Sequence, residues 1–258
     1  MNKMPVLLAV DIGNTNVDMG LFRGETMIHR GKLTSTPVSV SDWEAPLSEL
    51  GSTDEKPAAA IMCSVVPTAT HTFAKTIAKV FSFETAILKS DQPLKLKNLY
   101  SRPIDVGPDR IANAYGAWKL YGTPALVVDF GTAITIDAIS AVAEYLGGVI
   151  APGVGIAVES LAQKTALLPR VEPLLPEKVL GRDTISSIRS GITYGNVGLV
   201  KYLIERLKEE LGFDAAGTVV ITGGWMGALQ EVLKEISLLM DSDLTLKGLQ
   251  KIYENEMS

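Results

Sequence analysis

At 258 residues the chain is long enough for one large domain or two of medium size, and with 47% apolar residues it can bury a substantial core. Its 24 Lys and Arg against 29 Asp and Glu leave a net charge of −5. No basic stripe stands out, which argues against a nucleic-acid surface. The single cysteine, Cys63, leaves no pair for an internal disulfide, and nothing joins it as a metal site. No run approaches the ~20 apolar residues a membrane span needs.

The first apolar run, Val6 to Val10, is too short for a secretion signal and ends at Asp11. The expectation is a soluble, cytoplasmic protein that acts on neither nucleic acid nor membrane. Residues 6–11 read as a buried strand and 13–16 as a turn. Residues 17–22 and 26–33 read as further strands around a hairpin at "RGET", which makes a three-stranded meander. "AAAIMCSV" (58–65) is another strand, with Cys63 as a small buried hydrophobe. Phe73, Ile77, Val80 and Phe81 mark a helix within 68–83, and "ETAIL" (84–88) a short strand. Residues 89–108, rich in Pro, Asp and Lys, read as a long loop.

"PDRIANAYGAWKLYG" (108–122) sets Ile111, Ala114, Tyr115, Trp118 and Tyr121 on one face of an amphipathic helix closed by Gly122 and Pro124. Strand patterns restart at 125–129, 134–140 and "EYLGGVIAP". A helix over 155–167 and a Pro-rich loop follow. "TISSIRSGITYGNVGLVKYLIERLKEELG" reads as one long helix or two abutting ones. "GTVVITGG" (217–224) is a strand running into glycines, and "LTLKGLQKIYEN" a terminal helix.

Two stretches share one pattern. "AVDIGNTNVD" and "VVDFGTAIT" each end an apolar strand in Asp, a hydrophobe, Gly and small polar residues, nearly half a chain length apart. The pattern predicts an internal duplication. It divides the chain into domains at 1–116 and 117–258, each mixed α/β. A glycine turn of this kind exposes convergent main-chain N–H groups that suit phosphate. A cation between carboxylate and phosphate would reconcile Asp11 and Asp129 with an anionic ligand. The alternative at either turn is an Asp that only caps it. Asp109 and Thr184 each stand where a helix N-cap would, which is the alternative to a role in chemistry. Gly191, Gly195 and Gly198 within one helix predict a close approach to another helix, inside the subunit or across a dimer.

At these residues the chain resembles the acetate kinase, sugar kinase, heat-shock chaperone and actin superfamily. "DIGNTN" and "DFGTAIT" stand for its two phosphate motifs and "TGG" (222–224) for its adenosine motif. The ordered set "DIGNTN", "VGPDRIANAYGAW", "VVDFGTAITIDAIS", "EYLGGVIAPGVGIAVESL", "TALLPRVE", "SGITYG" and "LTLKGLQKIYE" is similar to type III pantothenate kinases. That resemblance implies two tandem ribonuclease-H-like domains with an ATP cleft between them. The implied reaction is phosphorylation of pantothenate to 4′-phosphopantothenate by ATP with Mg²⁺, in a homodimer that needs a monovalent cation, K⁺ or NH₄⁺. It implies that Asp11, Ile12, Gly13, Asn14, Thr15, Asn16, Val17, Asp18 and Thr132 contact ATP. Asp129 would hold the cation and Asp109 would be the catalytic acceptor. Tyr100, Gly107, Pro108, Asp109, Arg110 and Thr184 would contact pantothenate. Pro108 and Ile134 depart from the family's usual residues, and 24–57 matches weakly. The alternatives are a kinase of the same superfamily acting on a sugar or short carboxylic acid, and a non-catalytic or filament-forming ATP-binding protein.

Overall fold

The computed structural model describes residues 4–36, 40–51, 55–213, 217–236 and 239–257. The chain forms two compact units, Met1–Leu120 with Asp243–Ser258, and Tyr121–Ser242. The sequence pattern places a single division at 116/117. Here the helix of residues 108–121 runs past that point and the last residues group with the first unit.

The first unit contains β1 (Val6–Ile12), β2 (Asn16–Arg23), β3 (Thr26–Thr34), α1 (Ser41–Gly51), β4 (Ala59–Ser64), α2 (Pro67–Phe81) and β5 (Thr85–Ile87). A two-residue strand β6 (Lys97–Asn98) and α3 (Pro108–Tyr121) follow. Its sheet runs β3-β2-β1-β4-β5. The first three strands are antiparallel; β4 lies parallel to β1, and β5 parallel to β4. Alternation along β1 sorts its side chains. Leu8, Val10 and Ile12 join Trp43, Leu47, Phe73 and Ile77 in a core under α1 and α2. Leu7, Ala9 and Asp11 therefore take the opposite face.

The second unit repeats this plan with β7 (Ala125–Phe130), β8 (Ala133–Ile139), β9 (Glu144–Pro152), α4 (Val154–Lys164), α5 (Thr184–Leu211), β10 (Thr218–Thr222), α6 (Met226–Leu233) and β11 (Leu239–Met240). Its five strands run β9-β8-β7-β10-β11, matching the first unit strand for strand. The expected duplication is therefore present in the topology. Phe130, Ile134 and Ile136 pack with Val158, Ile192, Val200 and Leu229.

Several expectations change. Helix α1 has no clear signal in the sequence, because Pro46 sits inside it. Helix α6 and strand β11 likewise go beyond the sequence pattern. Helix α3 is not amphipathic over its first half, where Arg110 to Ala117 are all buried in succession. Of the two readings of the segment from Thr184, the structure has the single long helix, and among the described residues no helix is long and apolar enough to cross a membrane.

The closing helix, α7 (Leu244–Ile252), packs on β1 and crosses α3. The crossing depends on two glycines. A Cβ on Gly116 would lie 3.0 Å from the Leu244 carbonyl, and one on Gly248 would land on the Ala112 carbonyl oxygen. Thr245 Oγ1 donates to Asn113 Oδ1 at 2.7 Å beside them. Gly248→Ala gains ~1 kcal/mol of helix propensity but must push α3 and α7 apart, at a cost of about 1–3 kcal/mol. Urea unfolding is expected to show a net loss of stability. A stabilised Gly248→Ala would mean that these helices separate freely.

Candidate active site

In the first unit β1 leaves the core at Ile12 and turns at once. Gly13 N–H donates to the Asn16 carbonyl at 2.9 Å. Ser35, just after β3, reaches the turn from behind. Its N–H donates to the Thr15 carbonyl at 3.1 Å and its Oγ donates to the Gly13 carbonyl at 2.5 Å. Asn14 and Thr15 are exposed, whereas Ile12 and Val17 are buried. Any contact Ile12 or Val17 makes with a nucleotide is therefore a main-chain one. Asp18 pairs with Arg30 at 3.2 Å.

Asp11 and Cys63 occupy matching positions on the parallel strands β1 and β4 and share the face away from α1 and α2. The Cys63 thiol donates to Asp11 Oδ1 at 3.2 Å. Burial pushes this thiol well above its ordinary value near 9, and the charges on Asp11 and Asp109 push it further. So Cys63 is buried, as expected from sequence, but it is also a neutral donor to a site carboxylate. Sequence could have offered that only through the β1–β4 register.

Asp109 lies inside the first turn of α3, which begins at Pro108; it is not the N-cap. Its Oδ1 accepts from Arg110 N–H at 2.9 Å. A Cβ on Gly107 would strike that same carboxylate oxygen, which accounts for glycine there. Arg110 is buried, at 7% exposure. The preceding segment is held from within. Ser90 Oγ donates to the Val106 carbonyl, Asn98 Nδ2 donates to the Ser90 carbonyl at 3.1 Å, and Asn98 Oδ1 accepts from Tyr100 N–H at 3.0 Å. Ser90 thus links the backbone of Tyr100 to that of Gly107's neighbour.

In the second unit Asp129 is the penultimate residue of β7, and Thr132, in the turn that follows, is exposed. Thr222 pairs with Asp129 in register, and Trp225 N–H donates to the Phe130 carbonyl at 3.0 Å. Gly223, at φ +101°, brings its Cα so close to Asp129 and to the Phe130 backbone that no side chain fits. The "TGG" stretch and the second Asp-Gly turn are therefore neighbours. Ile134 points into the core at 1% exposure, so its departure from the family pattern is a packing matter. Thr184 is the first residue of α5 and is exposed. The N-cap is Asp183, whose carboxylate takes the Ser186 N–H at 2.9 Å. Hydrogen bonds from Ser186, main chain first, hold that carboxyl below its ordinary range. Thr184 instead lines a cavity of about 970 Å³ with Pro152, Ile156, Leu161, Arg182 and Ile188.

The fold is shared with solved proteins of low sequence identity. The ethanolamine utilization protein EutJ of Carboxydothermus hydrogenoformans aligns with a TM-score of 0.55 at 12% identity, covering 96% of this chain and 89% of that one. The activator of 2-hydroxyisocaproyl-CoA dehydratase from Clostridium difficile, solved with ADPNP, aligns with a TM-score of 0.53 at 11% identity, covering 95% and 92%. Sequence is more specific than fold. Residues 7–206 match the model of the type III pantothenate kinases. The type III pantothenate kinase of Moorella thermoacetica is 38% identical over 96% of this chain and 99% of its own length. That of Finegoldia magna is 38% identical over 96% of each. The chain belongs to the type III pantothenate kinase family.

The Cys63 thiol gives a pH signature. Above pH 9 the unfolded chain loses a proton that the folded chain keeps. Stability should then fall as pH rises, by up to ~1.4 kcal/mol per unit from this group. Cys63→Ser should lose that slope in urea titrations between pH 8.5 and 10. Parallel curves for the two proteins would place the thiol in contact with solvent.

Proposed function

We infer that this chain transfers the γ-phosphoryl group of ATP to pantothenate, forming 4′-phosphopantothenate in the first step of coenzyme A biosynthesis. Family membership supports the activity. The observation that carries it here is that an Asp-Gly turn follows the first strand of each unit, with Gly223 packed against the second at Asp129 and Phe130.

Phosphoryl transfer asks for alignment, charge neutralisation and somewhere for a proton to go. We assign residues 11–18 and Thr132 to ATP, and Tyr100, Gly107, Pro108, Arg110 and Thr184 to pantothenate. Arg110 and the start of α3 take the pantothenate carboxylate. Asp109 holds the acceptor hydroxyl. As that oxygen bonds to the γ-phosphorus, the bond to the β–γ bridging oxygen breaks, ADP leaves and the hydroxyl proton passes to the Asp109 carboxylate. The transition state is loose, so orientation is the larger part of this role.

Among the described residues no three His, Cys, Asp or Glu side chains gather as a metal cage. Asp11 would hold Mg²⁺ beside the phosphates, directly or through water. Asp129 with Thr132 and nearby carbonyls suits a larger monovalent ion, K⁺ or NH₄⁺. These cations supply charge neutralisation. The chain acts in the cytoplasm as a homodimer. Gly191, Gly195 and Gly198 are exposed, and nothing lies within 4 Å of a side chain placed on any of them. We assign this face to close helix approach by a second copy, in which Thr184 completes the partner's substrate site.

The test is ATP consumption with pantothenate against a panel of sugars and short acids; turnover with a panel member and none with pantothenate overturns the assignment. Asp109→Asn should fold normally and lower kcat by about 10²–10⁴-fold, moving the pantothenate KM less. Wild-type turnover in that variant would remove Asp109 from the chemistry. Replacing K⁺ with Na⁺ at fixed ionic strength and saturating Mg²⁺ should abolish most activity, and Asp129→Asn should blunt the K⁺ response. Full activity in Na⁺ alone would remove the monovalent site.

A further inference from the structure

We propose that Ser35 is the positioning residue of the first phosphate turn: by tethering the carbonyls of Gly13 and Thr15 it aims the N–H groups of Asn14 and Asn16 at the nucleotide. This rests on the assignment of residues 11–18 to ATP. The geometry starts from the peptide bond. In a trans peptide the C=O and the following N–H point in opposite directions. Among the described residues the one cis peptide is Thr123–Pro124, so the peptides 13–14 and 15–16 are trans. Ser35 holds both of their carbonyls, one with its Oγ at 2.5 Å and one with its N–H at 3.1 Å. The amides of Asn14 and Asn16 therefore point away from Ser35. The intervening turn, with Asn14 and Thr15 exposed, lies on the outer side.

Ser35 is itself fixed. It is buried, at 4% exposure. The neighbouring Thr34 carbonyl accepts from Trp43 Nε1 at 2.9 Å. Trp43 is 2% exposed and meets Phe73 edge-on, with ring centroids 5.1 Å apart. The turn is thus braced through Ser35 and Thr34 to α1 and α2. A hydroxyl is needed for half of this brace, since only Oγ reaches the Gly13 carbonyl.

The expected signature is selective. Ser35→Ala should raise the ATP KM, and the Kd for a non-hydrolysable ATP analogue with Mg²⁺, by about tenfold, the scale of one lost hydrogen bond and a loosened turn. The pantothenate KM should stay within twofold. Ser35→Thr, which keeps the hydroxyl, should restore nucleotide affinity. A purely structural role would lower the melting temperature and leave the ATP KM of the folded enzyme unchanged. If Ser35→Ala does not fold, Ser35→Cys, a weaker donor on the same Cβ, gives the same comparison. Gly13→Val is the control, because a Cβ there meets only Asn16 O at 3.5 Å within the chain. Loss of analogue binding in Gly13→Val with none in Ser35→Ala overturns the role of Ser35 alone. Unchanged binding in both variants overturns the phosphate-turn assignment and this proposal with it.

Discussion

A main-chain amide that binds phosphate must be one the fold does not need for itself. Buried N–H and C=O groups are nearly all paired, so a strand in a sheet has no amide to spare. A phosphate turn therefore belongs where a strand has just ended and its carbonyls have found partners elsewhere. Residues 13–16 meet that condition. Strand β1 is hydrogen-bonded on both sides up to Ile12, then the turn is closed by Gly13 to Asn16 and tied back at two carbonyls. The carboxylate of Asp11 is the last polar group before that point, and its face of the sheet is set by the alternation that buries Val10 and Ile12 on the other side.

The same alternation explains why a cysteine stands beside Asp11. A carboxylate at the rim of a buried sheet needs a donor on the adjacent strand, or it carries a desolvation penalty. A lysine or arginine there would neutralise the charge that we assign to cation binding. A serine would do the polar work but pack less well beside Ile61, which shares its face of β4. The thiol is a weak donor with the burial preference of a hydrophobe. Because burial above all, and then both carboxylates, push its ionisation upward, it stays a donor at physiological pH and does not become a third negative charge.

Much of this is legible in the sequence. The two Asp-Gly turns, the meander after each and the glycine-ended strand at 222–224 follow from periodicity and turn chemistry. Those are local properties. What is not legible depends on pairings between distant segments. The contact of Cys63 with Asp11 spans 52 residues and exists only through the parallel register of β1 and β4. Helix α1 carries a proline and is revealed mainly by Trp43 and Leu47 reaching a core that α2 completes. Helix α3 reads as amphipathic because its apolar stripe is real, while its other face is covered by α7 from the far end of the chain. Thr184 reads as an N-cap when its neighbour Asp183 does the capping, a one-residue difference that propensity alone does not settle.

The duplicated topology allows one more comparison, between the two turns. Ser35 follows β3, the third strand of the first meander, and Gly153 follows β9, the third strand of the second. Both sit behind an Asp-Gly turn, and they hold it in opposite ways. Ser35 adds a side chain that ties two carbonyls. Gly153 has none, and its backbone lies directly on the carbonyls of Gly131 and Thr132, where any Cβ would collide. A tether fixes direction at the cost of a buried hydroxyl that must stay paired, whereas close contact fixes position by exclusion. The two positions are thus equivalent in the topology but not interchangeable in residue. A serine at 153 would collide with its turn, and a glycine at 35 would leave the Gly13 carbonyl untied. The two units thus meet one constraint on the backbone with different chemistry.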